Sequence, residues 1–190
     1  MRKIWWFVLA AAPFALGAAR TAPGACTYRG TAAELKQRLS PLDSTQLSVD
    51  GATIKVCYGR PFIRGREIMG GLVPFSEPWR LGANEPTRLV LPFAADVAGV
   101  TVGPGTYSLY VVPQKTSWDV HVNRAVDRWG IPIDEQVEAQ DVGKGTVPVE
   151  PLAQPVEQLT LRLVAGSPIV LVVKWEKTLV RIPIEQVTGR

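Results

Sequence analysis

The sequence predicts an all-β domain: an antiparallel β-sandwich or barrel of about nine strands with one short N-terminal helix. Three observations carry that expectation. Apolar residues recur with period two over most of the chain, in short runs at spacings of about 8–12 residues. Glycine, proline, Asn and Asp clusters separate those runs. A helix start signal occurs at one place near the N-terminus.

The chain opens on Arg2 and Lys3, the apolar run Ile4 to Leu16, and the small residues Gly17, Ala18 and Ala19. This is the layout of a secretory signal peptide, so residues 1–19 are expected to be removed and the protein to be periplasmic or secreted. An uncleaved N-terminal anchor is the alternative, but the run is short for a membrane span and contains Pro13. No later segment is long and apolar enough to span a bilayer. A lipid anchor on Cys26 is not expected either, because Pro23 stands where a lipoprotein signal has an aliphatic residue. Removing Arg2 and Lys3 lowers the formal charge from +4 to +2, and removing Arg20 as well lowers it to +1. With no basic run left, nucleic acid is not an expected partner. Residues 20–39 then form an N-terminal segment and residues 40–187 a single β domain, expected to be a monomer.

Thr31 and Glu34 have capping-box spacing, with Leu35 and Leu39 one turn apart and Ser40-Pro41 as the stop. Gln46–Val49, Asp50-Gly51 and Ala52–Tyr58 read as a hairpin. Strand patterns resume at Arg88–Leu91, Gly99–Val102, Thr106–Val112 and Trp118–Asn123. The irregular stretch Arg124–Lys144 suits a second helix or a surface loop. Thr146–Val149 reads as an edge strand among prolines, and Val156–Val164, Ile169–Trp175 and Thr178–Ile184 as closing strands, with Glu176-Lys177 a tight turn. Trp118 and Trp175 fall in phase with core residues, whereas Trp79 and Trp129 lie in loops.

Cys26 and Cys57 are the two cysteines. In an oxidising compartment a bridge between them closes a loop of about 30 residues and contributes ~3 kcal/mol. Two free thiols are the alternative.

The stretch Val56–Thr87 reads as a loop that is long for a compact domain, yet rich in apolar and aromatic residues, so it is neither spacer nor disordered. It carries Arg60, Arg64, Arg66 and Arg80, with Trp79 beside the last, followed by Asn84 and Glu85. Two roles are open to it. In the first, Arg60 or Arg80 pairs with Glu85 or Asp43 and staples the loop to the sandwich, since a buried arginine needs a partner. In the second, the guanidinium forks hold a small anionic or carbohydrate ligand, with Trp79 as a stacking face. Catalysis has thin support: Asn84 and Glu85 are the general-base candidates, and His121 is a lone histidine expected to be solvated on its strand's polar face. No metal is expected, because the chain lacks clustered Cys and His ligands. No cofactor is expected either, since phosphate-loop, dinucleotide and nucleophile-elbow patterns are missing.

Several stretches resemble a bacterial family known as domain of unknown function 2911. They are SPLD (40–43), YGRP (58–61), GRE (65–67), GGLVPF (70–75), WRLGANEPT (79–87), PGTYSLYVVP (104–113), Trp129-Gly130 and WEKTLVRIPI (175–184). Cys57 departs from the polar residue expected before Tyr58. The resemblance implies an exported single-domain β protein and transfers no catalytic residue. The reading is therefore a non-catalytic binding or envelope structural β domain. The alternative is a hydrolase or isomerase acting on an anionic or sugar substrate through Arg60, Arg80 and Glu85.

Overall fold

A computed structural model describes residues 26–187. Residues 1–19, read above as a signal peptide and including Trp5 and Trp6, lie outside the described residues. In order along the chain come α1 (Ala32–Lys36), β1 (Leu42–Val49), β2 (Ala52–Gly59), β3 (Thr87–Leu91), β4 (Ala95–Val97), β5 (Val100–Val102), β6 (Gly105–Pro113), β7 (Ser117–Asn123), α2 (Glu135–Glu138), β8 (Asp141–Val164) and β9 (Ile169–Gln186). The nine strands form one sheet in the order β1-β2-β3-β6-β7-β8-β9-β4-β5, with every pairing antiparallel.

Strand β8 makes this one sheet into two layers. Its first part pairs with β7 up to Pro148, and from Val149 onward it pairs with β9. The later part folds back over β1 and β2. Leu163 N donates to Thr45 Oγ1 at 3.0 Å, and Leu161 N donates to Tyr58 Oη at 3.1 Å. The layers enclose one core, which runs from Ile54, Val56 and Leu89 through Trp118 and Val120 to Leu171, Trp175 and Ile182. Trp118 and Trp175 are both 1% exposed, as their strand phase predicts. The sheet stays open between its edge strands β1 and β5 and does not close into a barrel.

Four element boundaries differ from the sequence reading. Thr146–Val149 and Val156–Val164 belong to one strand, β8, because Pro151 and Pro155 sit where the ladder shifts register, between Pro151 and Val156, and the chain shifts there rather than turning. Ile169–Trp175 and Thr178–Ile184 likewise join as β9. Glu176-Lys177 lacks the Gly or Asn of a two-residue hairpin turn, and Glu176 takes a positive φ of 51° as an irregularity inside the strand. The three-residue β4 is too short to show a period. Finally, α1 has the expected capping box but ends at Lys36 with no buried residue, and Leu39 is 73% exposed. The chain leaves the helix early and turns Arg38 inward, which points Leu39 out. The Arg124–Lys144 stretch carries the short helix α2, capped by Asp134. Among the described residues no helix is long and apolar enough to cross a membrane.

Candidate functional site

The arginine-rich loop between β2 and β3 spans the gap between the two layers. At its start Ile63 N donates to Glu157 O and Leu159 N donates to Pro61 O, which fastens it to β8. Further on, Trp79 and Val111 exchange backbone hydrogen bonds of 2.7 and 2.8 Å, which fasten it to β6. Ile68 and Val73 between these points, and Leu81 just beyond them, plug the core. The loop's return requires Gly59 in the YGRP stretch, since a Cβ there would overlap the Ala83 carbonyl.

Its charged residues divide into two groups. Arg60 is paired: Nη1 lies 3.2 Å from Asp43 Oδ2, Nε donates to Leu159 O at 2.9 Å, and Nη2 donates to Thr160 Oγ1 at 3.1 Å. Tyr58 Oη donates to the same Asp43 carboxylate. Arg64 donates to Leu39 O and lies over the Phe62 ring at 5.7 Å. Arg66 turns Nε and Nη2 to the carbonyls of Ile63 and Phe62. Asn84, in the left-handed region at φ 66°, donates Nδ2 to Ser40 O.

Glu85 is 3% exposed and anchors the N-terminal segment. Arg38 grips it with both ends of its fork, Nη1 to Oε2 at 2.6 Å and Nη2 to Oε1 at 2.8 Å, and Arg29 N donates to Oε1 at 2.8 Å. Burial pushes this carboxyl up, but the Arg38 and backbone hydrogen bonds outweigh it and hold it below the usual carboxylate range. A disulfide joins Cys26 to Cys57 on β2, with Cα atoms 5.7 Å apart, and ties down the same segment. Neither Arg60 nor Arg80 is the partner of Glu85. That partner is Arg38, which carries no local signal because it lies 47 residues away.

Arg80 is the exception within the loop. Among the described residues no acceptor pairs with it, and its Nε is buried without a partner. Burial, and then the cation Arg128, hold its guanidinium below the ordinary arginine value. Its stem crosses Gly130, where a Cβ would overlap Arg80 Cδ. Arg80 lines a pocket of about 290 Å³ together with Arg66, Trp79, Trp175, Leu72 and Val73, and the pocket has no acidic residue in its lining. Trp79 stacks on Trp175 with ring centroids 5.6 Å apart and meets Trp118 edge-on at 5.8 Å. Its indole N–H donates to Gly82 O. The Trp175 indole N–H is buried without an acceptor. The pocket thus combines positive charge with a mixed polar and apolar lining and no acid.

A second polar cluster went unread in the sequence. His121 Nδ1 lies 2.7 Å from Asp141 Oδ2, and the side chain is 13% exposed rather than solvated. Tyr110 Oη donates to the same oxygen at 2.7 Å, and its ring stacks on His121 at 4.3 Å. Burial, then the Asp141 hydrogen bond, push the Tyr110 phenol far up. Asn123 Nδ2 donates to Asp141 Oδ1 and to Val137 O. This network closes the register shift at Val122/Asn123 and ties both ends of the 124–140 excursion to the sheet. The pairing Tyr110–His121 across adjacent strands was legible; Asp141 was not, since it follows the irregular stretch. Among the described residues no group of three or more His, Cys, Asp and Glu side chains is placed to hold a metal ion.

Fold and site together define an antiparallel two-layered β domain with a cationic, tryptophan-backed pocket under its longest loop. The chain belongs to the family described as Protein of unknown function (DUF2911), whose model matches residues 40–184. No curated protein and no solved structure matches the chain.

Proposed function

We propose that this is an exported, non-catalytic domain that binds a small anionic ligand in the pocket under the Arg80 segment. The observation that carries the reading is the unpaired state of Arg80. A partly buried guanidinium normally has an acid partner, because leaving it alone costs several kcal/mol. This fold has the acids to supply one, and it assigns Asp43 to Arg60 and Glu85 to Arg38. Arg80 instead lines a pocket that has no acidic residue in its lining. Export is supported by the signal-like N-terminal pattern and by the Cys26–Cys57 disulfide, which suits an oxidising compartment.

The enzymatic alternative requires Glu85 as a base. Both its oxygens accept hydrogen bonds and its acidity is strengthened, which argues for a clamp rather than a proton acceptor. A carbohydrate ligand is less well supported than an anion, because Trp79 presents its ring to other tryptophans.

Thermal unfolding with organic carboxylates, inorganic phosphate and neutral oligosaccharides tests the reading. An anion at tenfold its Kd adds about 1.4 kcal/mol, a rise of roughly 3–6 °C in a domain this size. Arg80→Met is expected to abolish that rise. No response to any anion, or an undiminished response in the variant, would show the reading to be wrong.

A further inference from the structure

We infer that the protein has a second binding site, for a neutral sugar, in the cavity formed by the 124–140 excursion between β7 and β8. It is independent of the anion reading above and shares no lining residue with the Arg80 pocket. The cavity, of about 540 Å³, falls within the size range of small-molecule sites. Its charges cancel. Arg124 and Arg128 share the lining with Asp127 and Asp134, whereas the Arg80 pocket has arginines and no acid. An anion would meet two carboxylates here and a cation two guanidinium groups; a ligand without net charge meets neither penalty. Arg128 is committed to the loop itself. Its Nε donates to Ala125 O at 3.2 Å, and its Nη1 donates to Trp129 O and Gly130 O at 3.0 Å each. Asp127, Arg124 and Gln136 are exposed in the lining and offer an acceptor, donors and an amide that is both. A hydroxyl also donates and accepts, so a ring bearing several of them matches that mixed set.

Trp129 supplies the apolar surface. It is 42% exposed, whereas Trp79, Trp118 and Trp175 pack on one another. The segment that carries it is tethered. Arg128 holds the Trp129 carbonyl, and Gly130 N donates to Asn84 O at 2.9 Å. The Arg38 guanidinium, itself gripped by Glu85, lies over the ring at 5.8 Å. An exposed indole on a fastened backbone is pre-organised, so a ligand that lands on it does not have to order it. The C–H groups of a pyranose ring carry slight positive charge and pack against the negative face of an aromatic ring. Ile131, exposed in the same lining, extends the apolar surface. A wholly apolar ligand would instead strip water from Asp127 and Arg124 and give them no partner.

The test is calorimetric titration of the mature protein with cellotetraose, maltotetraose and the tetramer of N-acetylglucosamine, with oligogalacturonate and indole as charged and apolar counterparts. Tryptophan fluorescence is the second readout, because Trp129 lines the cavity. At least one neutral sugar is expected to bind and to change the emission. Trp129→Ala should weaken that binding about tenfold or more, as truncating a central aromatic anchor does. Gln136→Leu, at an exposed position on α2, should weaken it as well, and it carries the test if Trp129→Ala does not fold. Lys177→Ala, exposed on β9 and outside the cavity lining, should leave it unchanged. No binding by any neutral sugar, binding of oligogalacturonate or indole alone, or undiminished binding in the folded variants would each overturn the sugar site. The anion site would stand or fall separately, on Arg80→Met and the anion titrations.

Discussion

Replacing Arg80 by methionine is expected to stabilise the protein while abolishing the proposed anion binding. Methionine keeps an unbranched stem over Gly130, where Arg80 Cδ packs so closely that a Cβ would overlap it. The substitution deletes the buried, unpaired Nε and a positive charge repelled by Arg128. A buried donor without an acceptor costs about 1–3 kcal/mol. Losing the guanidinium's own packing offsets part of that. The net gain is about 1 kcal/mol, which corresponds to roughly 2–4 °C in a domain of this length. The assay is thermal unfolding followed by circular dichroism, in a zwitterionic buffer with chloride as the only small anion. A bound anion would otherwise stabilise the wild type alone. A fall of 5 °C or more in Arg80→Met would show that the guanidinium is tied into the fold, and the argument for a ligand would go with it. Glu85 and Arg60 lie in the same loop and should behave in the opposite way, which makes the comparison internal.

Three further outcomes follow from the clamp. Glu85→Gln leaves Arg38 buried against a neutral amide and should cost ~3 kcal/mol, about 6–12 °C in Tm; a change below 2 °C would mean that the Arg38 fork contributes nothing. Reducing the Cys26–Cys57 bridge, which spans 31 residues, should cost about 3 kcal/mol, and both thiols should alkylate only after reductant; alkylation without reductant would refute the bridge. The pH profile should be bounded on both sides. Glu85 titrates below its unfolded value, so its contribution is present above pH ~4.5 and is lost as the pH falls further. Tyr28 and Tyr58 are pushed up to about 12, mainly by burial, so the unfolded chain ionises first and stability should fall between pH ~10 and ~12. Chemical denaturation across that range checks both limbs, and a flat alkaline limb in the wild type would contradict the burial of these phenols.

How far the sequence carried depends on whether the information was local. The Asp50-Gly51 hairpin, the Thr31–Glu34 box and the phase of Trp118 and Trp175 rest on neighbours within a few residues, and all four appear in the structure. The strand breaks placed at Pro151 and Glu176 were wrong for a related reason. A proline or a charged pair marks a disturbance, but whether the chain turns or merely shifts register depends on the partner strand, which the sequence does not display. The site shows the same limit more sharply. That Arg60, Arg80, Asp43 and Glu85 belong to one ion-pairing problem was legible. Which acid goes to which arginine was not, because Arg38 sits 47 residues before Glu85 and outside the loop altogether.

That distant partner is also what makes Arg80 meaningful. Had Glu85 faced Arg80, five residues away in the chain, the two would have closed a local ion pair and the loop would be a clamp throughout. Recruiting Arg38 from the N-terminal segment engages both oxygens of Glu85 through two forked bonds and a backbone donor. Asp43 is likewise occupied by Arg60 and Tyr58. Each acid close to the loop's return is consumed by a residue other than Arg80, and Trp175, buried to 1% exposure in the centre of the core, still keeps its N–H unpaired beside the same pocket. Arg80, from the loop, and Trp175, from β9, each keep a buried donor unpaired, as do Arg88 and Arg128, and the first two line the same acid-free pocket. A structural clamp explains the pairing of Arg60, Arg38 and Glu85; it leaves Arg80 without an acid partner at the edge of a pocket, and that is the feature on which the proposed anion site rests.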